Sequence, residues 1–174
     1  EIAVPLEEAD AGIIITASHN PRNWNALKLL NDNGEFISAN DGEKLLNIAN
    51  SNPNYNTDLK KGFVKFNSDY IDIHTDMILN LPNVEVDLIK KRKFKIVVDA
   101  VNSTGGIAVP NLLKKLDVNV VELYCEPNGE FPHNPEPLKE NLTDLSNLVI
   151  KQKADLGIVV DPDVDRLAFV SENG

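Results

Sequence analysis

Residues 155–166 read Asp-Leu-Gly-Ile-Val-Val-Asp-Pro-Asp-Val-Asp-Arg, an apolar half followed by a charged half. The apolar half is rich in β-branched residues, which is typical of a strand buried on both faces of a sheet. The charged half places carboxylates at positions 161, 163 and 165, directly after the strand. Ligands of open α/β sheets bind at the carboxyl ends of strands, so this segment predicts both a sheet and the place of a site on it.

The chain around this segment alternates between short apolar runs and stretches with helical spacing. Residues 94–99, 118–123 and 167–170 are predicted strands, and residues 105–116 and 142–153 are predicted helices. Strands that alternate with helices of about ten residues form βαβ units with a mostly parallel sheet. The predicted fold class is therefore α/β, with mixed, mostly parallel sheets and helices on both faces.

The first part of the chain follows a different order. Residues 11–16 form an apolar run that predicts another strand buried on both faces, and residues 26–30 predict a second strand. The turn signal at 31–34 indicates a hairpin whose returning strand is 35–37. Helical spacing follows at 41–49.

An asparagine-rich segment at 47–56 has no periodicity and is predicted to be a surface loop. Two predicted helices follow it, at 68–81 and 84–92. We place a domain boundary between the loop and these helices, so that residues 1–66 belong to one domain and residues 67–174 to the next.

The composition limits the kinds of partner. The 174 residues include 17 Lys and Arg against 27 Asp and Glu, a net charge of −10, which leaves no basic surplus for nucleic-acid binding. The single cysteine, Cys125, forms no internal disulfide, and no apolar run approaches the roughly 18 residues of a membrane span. The N-terminus has neither a signal pattern nor an initiator Met, so we expect a cytoplasmic protein and a piece of a longer chain.

Asp161, Asp163 and Asp165 are candidate ligands of a divalent cation. Three close carboxylates raise one another's proton affinity unless a cation lies among them, and hard oxygen ligands in this number suit Mg²⁺. An EF-hand would also use these aspartates, with Glu172 as its last ligand. It needs glycine where Arg166 stands, and its flanks would be helices rather than strands.

Two other interpretations of the same aspartates stay open. One is an acidic turn that only caps a strand. The other is the signature of the haloacid-dehalogenase phosphatases, an apolar strand followed by Asp-x-Asp-x-Thr/Val. Asp161 would then become an aspartyl phosphate, and Asp163 would act as acid and base. That signature normally opens its domain, whereas here it closes the chain.

Residues 16–21, Thr-Ala-Ser-His-Asn-Pro, form a polar loop after the first predicted strand. Ser18 can expose its hydroxyl there, and the neighbouring His19 could donate a hydrogen bond to a phosphate. The loop lacks the Gly-x-Ser-x-Gly frame of a hydrolase elbow. Residue type alone favours an ordinary serine in a turn.

Together, residues 16–21 and 161–166 resemble the phosphoserine loop and the Asp-x-Asp-x-Asp-Arg metal loop of the α-D-phosphohexomutases. That superfamily includes phosphoglucomutase, phosphomannomutase and phosphoglucosamine mutase. The serine and the first aspartate stand 143 positions apart, in the family's order and at about its spacing. Residues 98–106 and 131–137 resemble segments of its second domain. The resemblance implies phosphoglucomutase-like three-layer α/β/α domains, with this chain covering the end of domain I and most of domain II.

The resemblance also implies a reaction. Hexose 6-phosphate and hexose 1-phosphate would be interconverted through a bisphosphorylated sugar, with Ser18 carrying the phosphoryl group. Mg²⁺ would be the cofactor, and hexose 1,6-bisphosphate the activator and intermediate. The implied metal ligands are Ser18, Asp161, Asp163 and Asp165. Arg166 would contact the phosphoryl group, His19 would lie beside the serine, and Lys28 would do general acid or base work.

The implied partners are a sugar phosphate substrate and the remaining domains of a longer chain. The family's sugar-recognition loop and its separate phosphate loop have no counterpart in these residues. The 174 residues alone are therefore expected to lack mutase activity. A non-catalytic binding domain, which would bind neither Mg²⁺ nor phosphate, stays open beside the mutase and the phosphatase.

Overall fold

The structure, a computed structural model, describes residues 1–21, 23–54 and 62–174. Contacts divide the chain into a first unit, residues 1–14 and 27–70, and a second unit, residues 15–26 and 71–174. The described helices are α1 (Ala3–Leu6), α2 (Ala39–Asn50), α3 (Tyr70–Leu79), α4 (Val86–Arg92), α5 (Gly105–Lys115) and α6 (Thr143–Gln152), with a 3₁₀ turn at Lys139–Asn141. The described strands are β1 (Gly12–Thr16), β2 (Ala26–Leu30), β3 (Lys95–Asp99), β4 (Asn119–Leu123), β5 (Leu156–Val160) and β6 (Leu167–Ser171).

The second unit is built on a four-stranded sheet with the strand order β4-β3-β5-β6. β3 pairs in parallel with both β4 and β5, and β6 runs antiparallel beside β5. β3 suits an interior position because its side chains are apolar on both faces, and Val97 and Val98 are fully buried. The mixed, mostly parallel sheet predicted from the sequence is confirmed.

Helices cover both faces of this sheet. Successive side chains of β3 point to opposite faces, so neighbouring valines of this strand contact different helices. Val97 packs on one side in a cluster with Leu145 and Val149 of α6. Val98 packs on the other side in a cluster with Leu113 of α5, and residues of α3 and α4 pack against that same cluster. The second unit is therefore a three-layer α/β/α domain, as the sequence predicted.

The first unit contains α1, α2 and most of the two-stranded sheet formed by β1 and β2. The predicted turn after β2 is present, with Gly34 in the left-handed conformation that favours glycine, at φ 78°. The segment 35–37 returns antiparallel to β2 as predicted, with the Ile37 N–H donating to the Leu29 carbonyl at 3.1 Å, but it forms an isolated bridge between Leu30 and Phe36 rather than a strand. The chain leaves the pairing because Ser38 already caps α2, with its side chain accepting from a backbone N–H of the first turn.

β1 differs from its prediction as a strand buried on both faces. Ile13 and Ile15 are 64% and 71% exposed, whereas Thr16 is buried. Alternate side chains of a strand point to opposite faces, and within the described part of the chain no layer covers the face that carries these two isoleucines. The apolar run therefore predicts the strand correctly but not its cover.

The asparagine-rich segment predicted as a loop at 47–56 is partly helical, since α2 extends to Asn50. Residues 51–54 contain no helix or strand, and Tyr55 and Asn56 lie outside the described residues. The domain boundary between residues 66 and 67 stays a prediction.

The start of α5 lies against the backbone that leaves β4. A Cβ on Gly106 would overlap the carbonyl oxygen of Cys125, so only glycine allows this approach. The Cys125 thiol is itself half-buried and lies 3.4 Å from the carbonyl oxygen of Val98. Burial raises the pKa of this thiol to about 11, which leaves it a packing group rather than a nucleophile.

Within residues 1–21, 23–54 and 62–174, none of the helices combines the length and the apolar character that crossing a bilayer requires.

Candidate functional site

The segment at 161–166, here called the aspartate loop, begins where β5 ends. β3 and β5 are parallel neighbours, so their carboxyl ends meet at the same edge of the sheet. This edge carries two fully buried carboxylates, Asp99 as the last residue of β3 and Asp161 as the first residue after β5. The location is the one that the strand and loop pattern predicts.

The aspartate loop brings its three carboxylates together. One oxygen from each of Asp161, Asp163 and Asp165 lies within 4.8 Å of the others, in a gradient from a buried to an exposed side chain. Burial, followed by the charges of the other two carboxylates, raises the pKa of Asp161 to about 6, although the Arg166 N–H donated to Asp161 Oδ1 opposes the rise. The cluster is unfavourable as a set of bare charges, and a cation would relieve that cost.

The two buried carboxylates of this edge differ in their partners. Asp99 Oδ2 lies 3.0 Å from His133 Nε2, and Asp99 Oδ1 accepts the N–H of Val101. Asp161 Oδ2 is equally buried, yet it accepts no hydrogen bond from the described residues. A buried oxygen without a donor is a position where a metal ion satisfies the missing interaction. The donor set of Asp161, Asp163 and Asp165 therefore fits Mg²⁺.

Hydrogen bonds fix the path of the aspartate loop. The hydroxyls of Ser103 and Thr104, which follow β3, both donate to the Pro162 carbonyl, at 2.9 and 2.6 Å. Val164 lies in the left-handed region at φ 64°, where a β-branched residue is strained. The strain is tolerated because the surrounding bonds hold the turn that makes the carboxylates converge.

The serine loop, residues 16–21, is tied to the aspartate loop by one hydroxyl. Thr16 is buried at the end of β1, and its Oγ1 donates to Asp163 Oδ2 at 2.8 Å. The same oxygen accepts the backbone N–H of Ser18, also at 2.8 Å. Ser18 has a left-handed backbone, at φ 51°, and its Oγ lies 3.3 Å from His19 Nδ1. The predicted nucleophile and one predicted metal ligand thus share a hydrogen-bonding partner.

The two predicted basic residues are placed differently. Arg166 lies in the second unit, and its Nη1 donates to Glu136 Oε1 at 2.6 Å. Lys28 lies on β2 in the first unit, with its Nζ 5.9 Å from the centroid of the Phe36 ring. The predicted general acid or base role of Lys28 stays a prediction.

The sequence alone does not predict the contacts of several residues at this edge of the sheet. Thr16 is visible there only as part of the serine loop, and nothing in the sequence indicates its bond to a residue 147 positions away. Ser103 and Thr104 have a signal, because they follow a parallel strand next to the one that carries the aspartates. His133 and Glu136 lie in the segment 131–137 that resembles the second domain of the family, but nothing in the sequence indicates their bonds to Asp99 and Arg166.

Replacing Thr16 by valine removes the shared hydroxyl at nearly constant volume. The Ser18 N–H and Asp163 Oδ2 both lose a partner, so we expect a loss of about 1–2 kcal/mol in the free energy of unfolding. We also expect an affinity for Mg²⁺ that is about tenfold lower, the usual effect of removing a bond that orients a metal ligand. Urea denaturation and calorimetric titration of the full-length protein measure the two effects. Thr16→Ser keeps the hydroxyl and should keep the wild-type Mg²⁺ affinity, with only the stability loss of one buried methyl group; an equal loss of Mg²⁺ affinity in both variants would contradict the prediction.

Comparison with known proteins places this chain in a family. A family model described as phosphoglucomutase/phosphomannomutase, alpha/beta/alpha domain II, matches residues 70–174, and the corresponding domain I model matches residues 1–56. The chain belongs to the phosphoglucomutase/phosphomannomutase family. Domains I and II of this family are the two that the sequence resemblance implied.

Relatives in this family cover nearly the whole chain. A Thermococcus kodakarensis phosphoglucomutase/phosphomannomutase is 36% identical over 95% of the chain. A Methanopyrus kandleri protein named probable phosphoglucosamine mutase is 35% identical over 98%. The chain spans 36% and 37% of the lengths of these two relatives.

Solved structures of the family share the fold. A phosphoglucomutase/phosphomannomutase family protein from Burkholderia thailandensis superposes with a TM-score of 0.70 at 28% identity, over 95% of this chain and 34% of that one. A structure from Thermus thermophilus reaches a TM-score of 0.80 at 19% identity, over 98% of this chain and 38% of that one. The architecture predicted from the sequence is therefore that of the phosphoglucomutase/phosphomannomutase domains.

Proposed function

We propose that this chain carries the phosphoserine and metal-binding part of a Mg²⁺-dependent phosphohexomutase, which interconverts hexose 6-phosphate and hexose 1-phosphate. The observation that supports this proposal most is the Thr16 hydroxyl, bonded to both the Ser18 amide and the Asp163 carboxylate. This shared partner supports the interpretation of the serine loop and the aspartate loop as one site. A phosphatase that used Asp161 as its nucleophile would have no need of the serine loop.

Ser18 is the residue that would carry the phosphoryl group. When a sugar hydroxyl attacks phosphoserine, the new sugar O–P bond forms as the Ser18 Oγ–P bond breaks, and the hydroxyl proton passes through a base to the departing Ser18 Oγ. The resulting hexose 1,6-bisphosphate then returns its other phosphoryl group to Ser18 Oγ, and the sugar oxygen regains a proton. Lys28 is our candidate for the group that exchanges this proton, and His19 would donate a hydrogen bond beside the serine.

Asp161, Asp163 and Asp165 would hold Mg²⁺, with an oxygen of Ser18 as a further ligand. A bound Mg²⁺ would neutralise the charge on the transferring phosphoryl oxygens. Arg166 would add the directional donors of its guanidinium, which match the geometry of phosphoryl oxygens. The work asked of this chain is alignment and charge neutralisation, which phosphoryl transfer needs most.

The partners of the chain follow from the same proposal. The substrate would be a hexose phosphate, and further domains of a longer chain would select the sugar and hold its distal phosphate. We propose a cytoplasmic enzyme, since phosphorylated sugars are metabolites of that compartment. The 174 residues alone should show no mutase turnover.

The test is phosphopeptide mass spectrometry on the full-length protein, before and after incubation with glucose 1,6-bisphosphate and Mg²⁺. We expect an acid-stable phosphate on Ser18, and none in a Ser18→Ala variant. An acid-labile phosphate on Asp161 with Ser18 bare would establish the phosphatase instead. No phosphate on either residue after the incubation would overturn the proposal and leave a binding domain.

A further inference from the structure

The Arg166 side chain pairs with a carboxylate outside the aspartate loop. Its guanidinium donates through Nη1 to Glu136 Oε1 at 2.6 Å, and both side chains are only partly exposed. Glu136 belongs to the loop that precedes α6, 30 positions earlier in the chain. The ion pair therefore links the aspartate loop to a different segment of the second unit.

Glu136 is held in place by its own backbone. Its N–H donates to Asn134 Oδ1 at 3.2 Å, and its carbonyl accepts from Asn141 Nδ2 at 2.8 Å. Three positions earlier, His133 anchors the same loop to the buried Asp99 at 3.0 Å, a bond that raises the pKa of His133. Asp99 ends the strand next to β5, so the edge of the sheet that carries the aspartates also positions Glu136.

In the ion pair with Glu136, Arg166 lies close in sequence to the three carboxylates of the aspartate loop. Arg166 follows Asp165 directly, and without another acceptor its guanidinium would be attracted to the three carboxylates of the aspartate loop. An arginine in that position would compete with a divalent cation for the same oxygens. Glu136 supplies a carboxylate elsewhere, and one contact through Nη1 leaves other N–H donors of the guanidinium for a further acceptor.

We infer that Glu136 is a positioning residue for Arg166: it keeps the guanidinium out of the cation cluster and turned for a phosphoryl group. The claim that Arg166 is turned toward a phosphoryl group rests on the proposed function. The claim that Glu136 keeps Arg166 away from the carboxylates rests on geometry alone. Two consequences are separable. Without Glu136, Mg²⁺ binds more weakly because Arg166 competes for the carboxylates, and phosphoryl transfer to Ser18 slows because Arg166 is misplaced.

The experiment is a double-mutant cycle in the full-length protein with Glu136→Ala, Arg166→Ala and both changes together. Mg²⁺ affinity is measured by titration, and the rate of Ser18 phosphorylation by glucose 1,6-bisphosphate is measured by mass spectrometry. We expect Glu136→Ala to lower both about tenfold in the presence of Arg166, and to change neither in the Arg166→Ala background. Glu136→Gln, which keeps an acceptor oxygen but not the charge, should fall between wild type and Glu136→Ala.

The matched control is Glu126→Gln, which removes one exposed carboxylate from the chain just before this loop and should leave both readouts at wild-type values. A Glu136→Ala effect of equal size with and without Arg166 would overturn the inference, and so would no effect at all. If the wild-type protein takes up no phosphate on Ser18, the proposed function fails, whereas the Mg²⁺ cycle still decides whether Glu136 positions Arg166.

Discussion

Asp161→Asn is expected to lower the Mg²⁺ affinity of the full-length protein by about 100-fold or more, while making the metal-free protein more stable. Removing an outer hydrogen-bonding partner of a ligand already costs about 10–100-fold in affinity, and the loss of a charged ligand costs more. The gain in stability follows from the burial of Asp161, which raises its pKa to about 6. Above that pH its charge is held in the fold at a cost, and a neutral side chain removes the cost.

Asp99 offers a matched control at the same edge of the sheet. It is as deeply buried as Asp161, but it is paired with His133 and with a backbone N–H. Asp99→Asn should therefore reduce stability, because it weakens a satisfied pair, and should lower the Mg²⁺ affinity much less than Asp161→Asn does. Urea denaturation at pH 8 in EDTA, together with calorimetric titration of MgCl₂, measures both variants. If Asp161→Asn destabilised the metal-free protein as Asp99→Asn does, Asp161 would be a structural carboxylate and not a ligand.

Gly106→Ala is expected to lower the free energy of unfolding by about 3 kcal/mol, the upper range for an added group in a packed interior. The new Cβ would overlap the carbonyl oxygen of Cys125, and backbone on both sides cannot rotate away as a side chain can. The start of α5 would have to shift from β4. Urea denaturation followed by far-UV circular dichroism measures the change.

Gly42→Ala is the control for Gly106→Ala, because it also replaces a glycine of a helix by alanine. A Cβ there would meet only Ile37 Cδ1, at an ordinary 3.8 Å, within α2. This variant should gain up to about 1 kcal/mol, because alanine favours a helix more than glycine does. An unchanged denaturation midpoint in Gly106→Ala would show that α5 can move away from Cys125 without cost.

The parts of the fold that local pattern determines could be predicted. The apolar runs of β3 and β5 are buried on both faces, and a sheet with helices on both sides is the arrangement that covers such strands. The burial of β1 could not be predicted. A run of isoleucines indicates a strand that is stabilised by burial, but it does not indicate which element packs on each face. The return expected at 35–37 is limited to one bridge for a local reason, since the cap of α2 at Ser38 ends the pairing early.

The part of the site that lies within the aspartate loop could be predicted from local pattern. Three alternating aspartates after a strand indicate a cation cluster, and the structure brings those carboxylates together. The bonds from Thr16 to Asp163 and from Glu136 to Arg166 join residues 147 and 30 positions apart. The family resemblance implied that the serine loop and the aspartate loop share a site. The individual bonds depend on how the chain returns to one edge of the sheet, and no local pattern indicates them.

The Thr16 hydroxyl has a consequence for dissecting this protein into modules. The residues matched by the domain II model, 70–174, contain all three aspartates, yet residues 15–26 pack with them in the second unit. A chain trimmed to the matched range would keep the carboxylates and lose the donor that orients Asp163. The unit that packs together therefore includes residues outside the range matched by the domain II model. An exchange of this domain between relatives should include the serine loop.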